Sequence, residues 1–416
     1  MTNMCWTHGS WRGKTTNMSI HPVRPSSPAR GWLGVAAITA SLFVFITTEL
    51  MPVGLLTPLS NSLDVSVGIA GLTVTLYGVS AGLGVPFIVA WTRRINRRTL
   101  LIALLAVLVL GNLITSIAPT FPLLLTTRLV MGFANGVFWA IGVGMAMRLV
   151  PEHRASRAAA VTLSGISIGT VVGIPLGTLL ESLTDWRSTF LLWSGLGALA
   201  LLSVVALVPS LPSANAVPVR EVFGLPRHNA RLRQVMLIVM LFVLGHFGAY
   251  TFIRPFAETT TSATPGFVTA LLIIYGLGGA AGNFIAGHTV TRNLRASFTV
   301  ACAGLVTALL VMLVIGDRPA GLIAAVVLWG LSYGAINLCQ INLTLAAAPG
   351  TFEAAMSLNT MAYNTSIAMG ALLGGLVADH SSAGVRAAFW FGTVLTSASL
   401  LVTLATRPRR AIAPQT

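Results

Sequence analysis

The stretch Leu42-Phe43-Val44-Phe45-Ile46-Thr47-Thr48-Glu49-Leu50-Met51-Pro52 places one carboxylate in the middle of an apolar run. The run extends over residues 32–58, and about 20 apolar residues are enough to cross a bilayer as helix. A charge at that depth costs at least about 2.5–3.5 kcal/mol on insertion scales, so Glu49 is expected to face a partner or a water-filled path, not lipid. An acid kept under those terms is a candidate functional group.

Composition carries the membrane reading to the whole chain. Its 416 residues are 55% hydrophobic and 8% charged, with mean hydropathy +0.84. A soluble domain carries about 25% charged residues, so lipid must solvate most of this surface. The formal net charge is +15, but the arginines recur as short clusters between apolar runs. That is a topology pattern and not the continuous basic stripe of a nucleic-acid binder. Cys5, Cys302 and Cys339 are far apart and have no zinc spacing, so no metal, cofactor or disulfide framework is expected. Residues 1–31 are polar, basic and Pro/Ser-rich without a signal-peptide core, and read as a disordered cytoplasmic tail in which Met18 is a second candidate start. Residues 407–416 read as a second cytoplasmic tail.

Twelve apolar spans follow, at about 32–58, 68–91, 99–118, 121–149, 156–181, 188–209, 234–257, 267–290, 297–316, 319–346, 354–378 and 386–406. The tails and alternate connections hold 20 of the 25 Lys and Arg, including Arg93, Arg94, Arg97 and Arg98; the other side holds Arg187, Arg254, Arg318 and Arg386. This bias predicts cytoplasmic termini and an even number of crossings.

The Pro- and Arg-rich connection 210–233 divides a six-helix bundle at 32–209 from another at 234–406, and the two are related in sequence. A shift of 197 residues lays Pro58 on Pro255, Arg98 on Arg295 and Gly173 on Gly370; a shift of 198 lays Gly132 and Gly136 on Gly330 and Gly334. An ordered series at nearly one offset predicts parallel repeats, an arrangement of large transporter folds. The 197 shift also lays Glu49 on His246.

Several segments carry a family resemblance. Thr47 through Pro58, Gly136-Val137-Phe138-Trp139-Ala140, Met147 through Pro151, Trp186-Arg187-Ser188-Thr189-Phe190 and Tyr250 through Phe256 resemble the major facilitator superfamily. Within it they are similar to the twelve-helix drug:proton antiporters, and among those to bacterial efflux pumps for purine ribonucleosides, sugars and drugs. The resemblance implies an all-α membrane protein of two six-helix bundles, acting as a monomer in the bacterial cytoplasmic membrane on protons and a small molecule. It implies export of a nucleoside, a sugar-like compound or an antibiotic such as chloramphenicol. An importer of the same fold or a non-transporting sensor are the alternatives.

Arg128 with Gly132 and Gly136 resembles the fourth-helix motif, whose arginine is implicated in proton transfer. Gly165, Gly169, Gly173, Pro175 and Gly177 resemble the fifth-helix antiport motif; glycines four apart let another helix approach closely. The loop from Val89 to Arg98 stands where the superfamily's cytoplasmic gate motif stands, but Arg93 replaces its Asp, so the usual charge lock does not carry over. Plain positive-inside topology explains Arg93, Arg94, Arg97 and Arg98 equally well. A buried environment favours the neutral form of an acid and a nearby Arg or protonated His favours the charged form. Glu49, Arg128 and His246 are therefore the candidate proton-coupling residues, the alternative for Glu49 being a permanent structural hydrogen bond. Polar and aromatic groups inside spans need partners or face a cavity; Asn135, Trp139, Tyr250, Tyr275, Asn283, Asn337, Asn359 and Tyr363 are the candidate cavity residues. Arg254 and Glu258, four apart, read as a structural or gating pair. No enzyme constellation such as HExxH or a phosphate-binding GxxxxGK[ST] is present, and the chain is not expected to be an enzyme.

Overall fold

A computed structural model describes residues 28–91, 95–212 and 219–406. Every regular element among them is helical. The first crossing is α1 (Pro28–Ser62) and the second is α2 (Val67–Ala70) with α3 (Leu72–Trp91); α4 (Arg97–Ser116) and α5 (Phe121–Arg148) follow. The fifth crossing is α6 (Ala155–Ile168), a π-helical turn at Gly169–Gly173 and α7 (Ile174–Leu183). Next come α8 (Trp186–Leu207), the linker helix α9 (Val219–His228), and the seventh crossing, α10 (Ala230–Tyr250) with α11 (Ile253–Thr261). Last come α12 (Pro265–Ile315), α13 (Pro319–Ala347), α14 (Phe352–His380) and α15 (Val385–Ala405).

Ten helices among the described residues are long and apolar enough to cross a membrane. One of them, the 51-residue α12, is two crossings in a row: Asn293 leaves helical geometry at φ −156°, ψ 92°. Its side-chain oxygen then accepts from the Ala296 N–H at 3.0 Å, capping the second half. With that second half and the α2–α3 crossing, the number of crossings is twelve. The connection read as a polar linker at 210–233 differs from expectation. It contains α9, and α10 already begins at Ala230, because Asn229 caps α10 through the Leu232 N–H at 2.9 Å. Asn229 also donates to the Ala347 carbonyl at 2.8 Å, tying the linker to the end of α13.

Two buried apolar clusters organise the interior. One is drawn from Val35 to Leu211 and includes the stacked Phe45 and Phe138 rings, 4.5 Å apart. The other is built mainly from Leu232 to Phe389, with Ile46, Leu50, Val53 and Ile174 of the first half joining it at the seam.

The repeat is visible as a recurring contact. A Cβ on Gly132 or Gly136 of α5 would stand 2.2 Å from the Tyr77 carbonyl and 2.3 Å from the Ala81 carbonyl of α3. A Cβ on Gly330 or Gly334 of α13 would stand 2.4 Å from the Tyr275 carbonyl and 1.9 Å from the Gly279 carbonyl of α12. Tyr77 and Tyr275 differ by the same 198 positions as the glycines. Each pair of helices crosses at backbone contact, which only a missing side chain permits.

Candidate functional site

Glu49 is buried on α1, and its carboxylate Oε2 accepts a hydrogen bond from Asn135 Nδ2 of α5 at 2.9 Å. Arg128, one helical face back along α5 from Asn135, is fully buried. Its guanidinium donates to backbone: Nη1 to the Thr48 carbonyl at 2.9 Å, Nη2 to the Glu49 carbonyl at 3.0 Å, and Nε to the Thr73 carbonyl at 3.1 Å. It lies 4.6 Å above the Tyr77 ring. Arg128 thus staples α1 and α3 to α5 through main-chain oxygens, and among the described residues no ion pair joins it to the Glu49 carboxylate. Asn112 of α4 donates to Thr48 Oγ1 at 3.1 Å, and Trp193 of α8 donates to Thr47 Oγ1 at 2.5 Å. Three buried polar atoms of this network have no partner among the described residues: Tyr77 Oη, Asn112 Oδ1 and Asn135 Oδ1.

Across the seam lies a second, uncharged cluster. His246 stacks on Tyr333 at 3.8 Å and on Tyr250 at 5.2 Å, and Tyr250 stacks on Tyr275 at 4.6 Å. Trp329 closes the group edge-on to His246. Trp329 Nε1 donates to His246 Nδ1 at 3.0 Å. Indole can only donate, so Nδ1 carries no proton and Nε2 carries it. Nε2 then donates to Tyr275 Oη at 3.3 Å, and His246 is a neutral ring held at both ends. Tyr333 and Tyr363, both half-buried, share a hydroxyl hydrogen bond of 2.5 Å. Four of the chain's five tyrosines meet here. The Glu49 carboxylate lies within electrostatic range of the fifth, Tyr77, and of Tyr363.

The helix-five glycines bring that crossing onto α1. A Cβ on Gly165 would meet the Thr39 carbonyl at 2.7 Å, and one on Gly169 would meet Ile46 Cγ2 at 2.4 Å. Thr47 Cγ2 occupies the space at Gly173. The π-helical turn falls inside this run, just before Pro175. The opposite side of the same crossing meets the second half, where Thr178 and Thr269 share a hydroxyl hydrogen bond of 3.0 Å and Val171 abuts Gly276.

At the face opposite the termini, Arg254 of α11 fastens the halves together. Its Nη1 donates to the Gly54 carbonyl at 2.6 Å and to Glu181 Oε2 at 2.7 Å, both in the first half. Its Nε donates to Glu258 at 2.8 Å, and Glu258 in turn accepts from Thr57 of α1 at 2.5 Å. Asp379 of α14 makes a parallel link by accepting from Ser66 Oγ and from the Gly68 N–H.

The remaining expected residues fall as follows. Trp139 is half-buried and packs against both apolar clusters, at the seam. Asn359 accepts from Thr344 at 3.2 Å, and Asn337 accepts from Gln340 at 3.5 Å. Asn283 is exposed, seven residues along α12 from buried Gly276 and on the same face. Asn135, grouped with the cavity from sequence, sits instead on the acid, because position 135 is two turns from Arg128 and faces α1. Arg98 donates to the Val205 carbonyl at 2.6 Å, within the first half, and Arg97 is buried with its backbone N–H on the Leu211 carbonyl at the start of the linker; neither tie reaches the second half. Arg93 and Arg94 lie outside the described residues. Sequence reasoning missed Tyr77, Tyr333, Glu181 and Asp379. Only Tyr77 left a usable signal, its 198-residue offset from Tyr275.

Twelve apolar crossings in two repeated halves, with polar groups gathered at the seam, define a multi-pass membrane transporter. The chain belongs to the Major Facilitator Superfamily, whose sequence profile matches residues 35–354. A probable sugar efflux transporter of Helicobacter pylori strain P12 is 29% identical over 366 residues, 86% of this chain and 93% of that protein. YtbD, an uncharacterised MFS-type transporter of Bacillus subtilis strain 168, is 30% identical over 372 residues, 88% of this chain and 93% of its own. Among solved structures, an inward-facing bacterial homologue of the human lysosomal transporter Spinster superimposes with a TM-score of 0.68 at 14% identity, over 91% of this chain and 96% of its own. A mutant of the nucleoside transporter NupG gives 0.70 at 13% identity, over 90% and 98%. These two likenesses are likenesses of fold.

Proposed function

We propose that this transporter exports a small polar or amphipathic molecule in exchange for external protons, as a monomer in the bacterial cytoplasmic membrane with both termini inside. The observation that carries the reading is the setting of Glu49: an acid buried at mid-crossing whose side-chain partner is a neutral amide, while the nearby guanidinium is engaged by backbone carbonyls. A carboxylate locked in an ion pair would be tied to its charged form; this one is left able to exist with or without its proton. The arginine bias supports cytoplasmic termini, and the relatives named for sugar efflux support the direction.

In this reading the bundles 32–209 and 234–406 rock about the seam. The Arg254 and Asp379 links hold the outer side closed, as an inward-facing state requires. The aromatic group around His246, with Trp139, Asn337, Asn359 and Tyr363, walls the path of the cargo: a nucleoside, a sugar-like compound or an antibiotic such as chloramphenicol. The helix-five glycines allow α1 to slide against the fifth crossing. The neutral tautomer of His246 favours a cargo-side role over proton carriage.

Uptake into inside-out vesicles tests this. With an imposed pH gradient, vesicles should accumulate at least one of a panel of labelled nucleosides, sugars and chloramphenicol, and Glu49→Gln should abolish the gradient-driven part. Gradient-driven accumulation that survives Glu49→Gln refutes the role of Glu49; the absence of transport for the whole panel refutes the cargo class.

A further inference from the structure

We infer that Asn135 is a positioning residue that serves Glu49 in both protonation states by turning its amide over. The inference rests on the proton role of Glu49 proposed above. As observed, Nδ2 points at the acid and donates to Oε2 at 2.9 Å, the orientation that fits a carboxylate acceptor. The other end of the same amide, Oδ1, is buried and has no hydrogen-bond partner among the described residues. A buried carbonyl oxygen left idle costs about 1–3 kcal/mol, so its retention calls for an explanation.

The explanation lies in what the acid needs once it is neutral. A hydronium ion reaching Glu49 forms an O–H bond on the carboxylate and leaves as water. The new hydroxyl is a donor, and an amide presenting N–H to it offers no acceptor. A half-turn about χ2 exchanges Nδ2 for Oδ1 at nearly the same place, and this torsion is broad and roughly two-fold for Asn. Oδ1 then accepts from the protonated acid, so one short arm replaces donor by acceptor without moving a helix. Arg128 cannot do this: it has donors only and all of its bonds go to the carbonyls of residues 48, 49 and 73. The ionisable groups that face Glu49 from neighbouring helices are Arg128 on α5, Tyr77 on α3 and Tyr363 on α14. None of the three makes a hydrogen bond to its carboxylate. Among the described residues Asn135 is the side chain that hydrogen-bonds it.

The test needs no cargo. Infrared difference spectra of the full-length protein in lipid nanodiscs, taken between alkaline and acidic buffer, should contain a carboxylic-acid C=O band that Glu49→Gln removes. In Asn135→Leu that band should move to higher frequency, because the acid's hydroxyl has lost its acceptor. In Asn135→Thr, whose hydroxyl both donates and accepts, it should stay near the wild-type position. Should Asn135→Leu fail to fold by circular dichroism, Asn135→Met makes the same comparison. A band removed by Glu49→Gln but identical in wild type and in the apolar variants overturns this inference and leaves the proton role standing. The lack of any band sensitive to Glu49→Gln overturns the proton role itself.

Discussion

Replacing Arg254 by Gln should open the outer face. Gln stays polar with two donors, but it ends two atoms short of the guanidinium nitrogens that cross the seam and lacks the charge that holds Glu181 and Glu258. Three of its hydrogen bonds cross between the halves: two short ones, to the Gly54 carbonyl at 2.6 Å and to Glu181 at 2.7 Å, and a long one to Glu181 at 3.5 Å that adds little. A hydrogen bond to a charged group contributes about 1.5–3 kcal/mol, so the two together contribute about 3–6 kcal/mol if fully dry. The carboxylate side chains are 11% and 21% exposed, and water at the rim screens them, so about half of that remains, roughly 1.5–3 kcal/mol. At 1.4 kcal/mol per tenfold, the ratio of outward-open to outward-closed molecules should rise roughly 10- to 140-fold. Spin labels on Asn61 and Ser382, exposed at this face on opposite halves, report the change as a second, longer distance in double electron–electron resonance. A distance distribution in Arg254→Gln that matches the parent's would refute the view that these bonds fasten the halves.

Two packing predictions follow from the second half. Gly334→Ala should destabilise the protein by about 1–3 kcal/mol, since the new methyl would stand 1.9 Å from the Gly279 carbonyl and backbone cannot step aside; Gly287→Ala, which meets nothing nearer than Leu338 at 4.0 Å, is the matched control and should be neutral or stabilising. Thermal unfolding in detergent checks the difference, and equal midpoints would count against the close crossing of α12 and α13. His246→Leu should lower the unfolding midpoint as well, because it strands the buried Trp329 N–H at a cost of about 1–3 kcal/mol, whereas His246→Gln, able to accept at that position, should recover part of the loss; equal loss in both variants would show that the bond does not matter.

The crossings were legible because lipid imposes one rule on every residue: apolar length is helix. The repeat was legible where backbone touches backbone, since Gly132, Gly136, Gly330 and Gly334 must stay glycine for α3–α5 and α12–α13 to meet. Glu49 stood out because a charge in an apolar run has no neutral explanation. What could not be read was direction. Arg128 is spaced to approach Glu49, but spacing does not say whether a guanidinium meets a carboxylate or the carbonyl beside it. Asn135 shares a face with Trp139, yet it turns to α1 while Trp139 turns to the seam. Tyr333 and Glu181 are ordinary residues in their own segments and acquire partners only when remote helices arrive. The helical linker α9 was hidden by Pro226, which reads as a helix breaker in sequence yet lies inside α9, two residues before its end.

The two halves share an ancestry of shape but not of charge. Where the first half has Glu49 and Arg128, the positions 197 and 198 residues later hold His246, a neutral ring, and Val326, a buried aliphatic. Among the described residues the remaining acids sit toward the ends of helices or between them, so the interior offers one site for one ion. On the proton role proposed for Glu49, a single turnover would be energised by a single proton. For an uncharged cargo that is worth about 2.3 kcal/mol per 100 mV, a concentration ratio of roughly fifty-fold. A singly cationic cargo would trade charge for charge, feel no voltage, and be concentrated only as far as the pH difference allows.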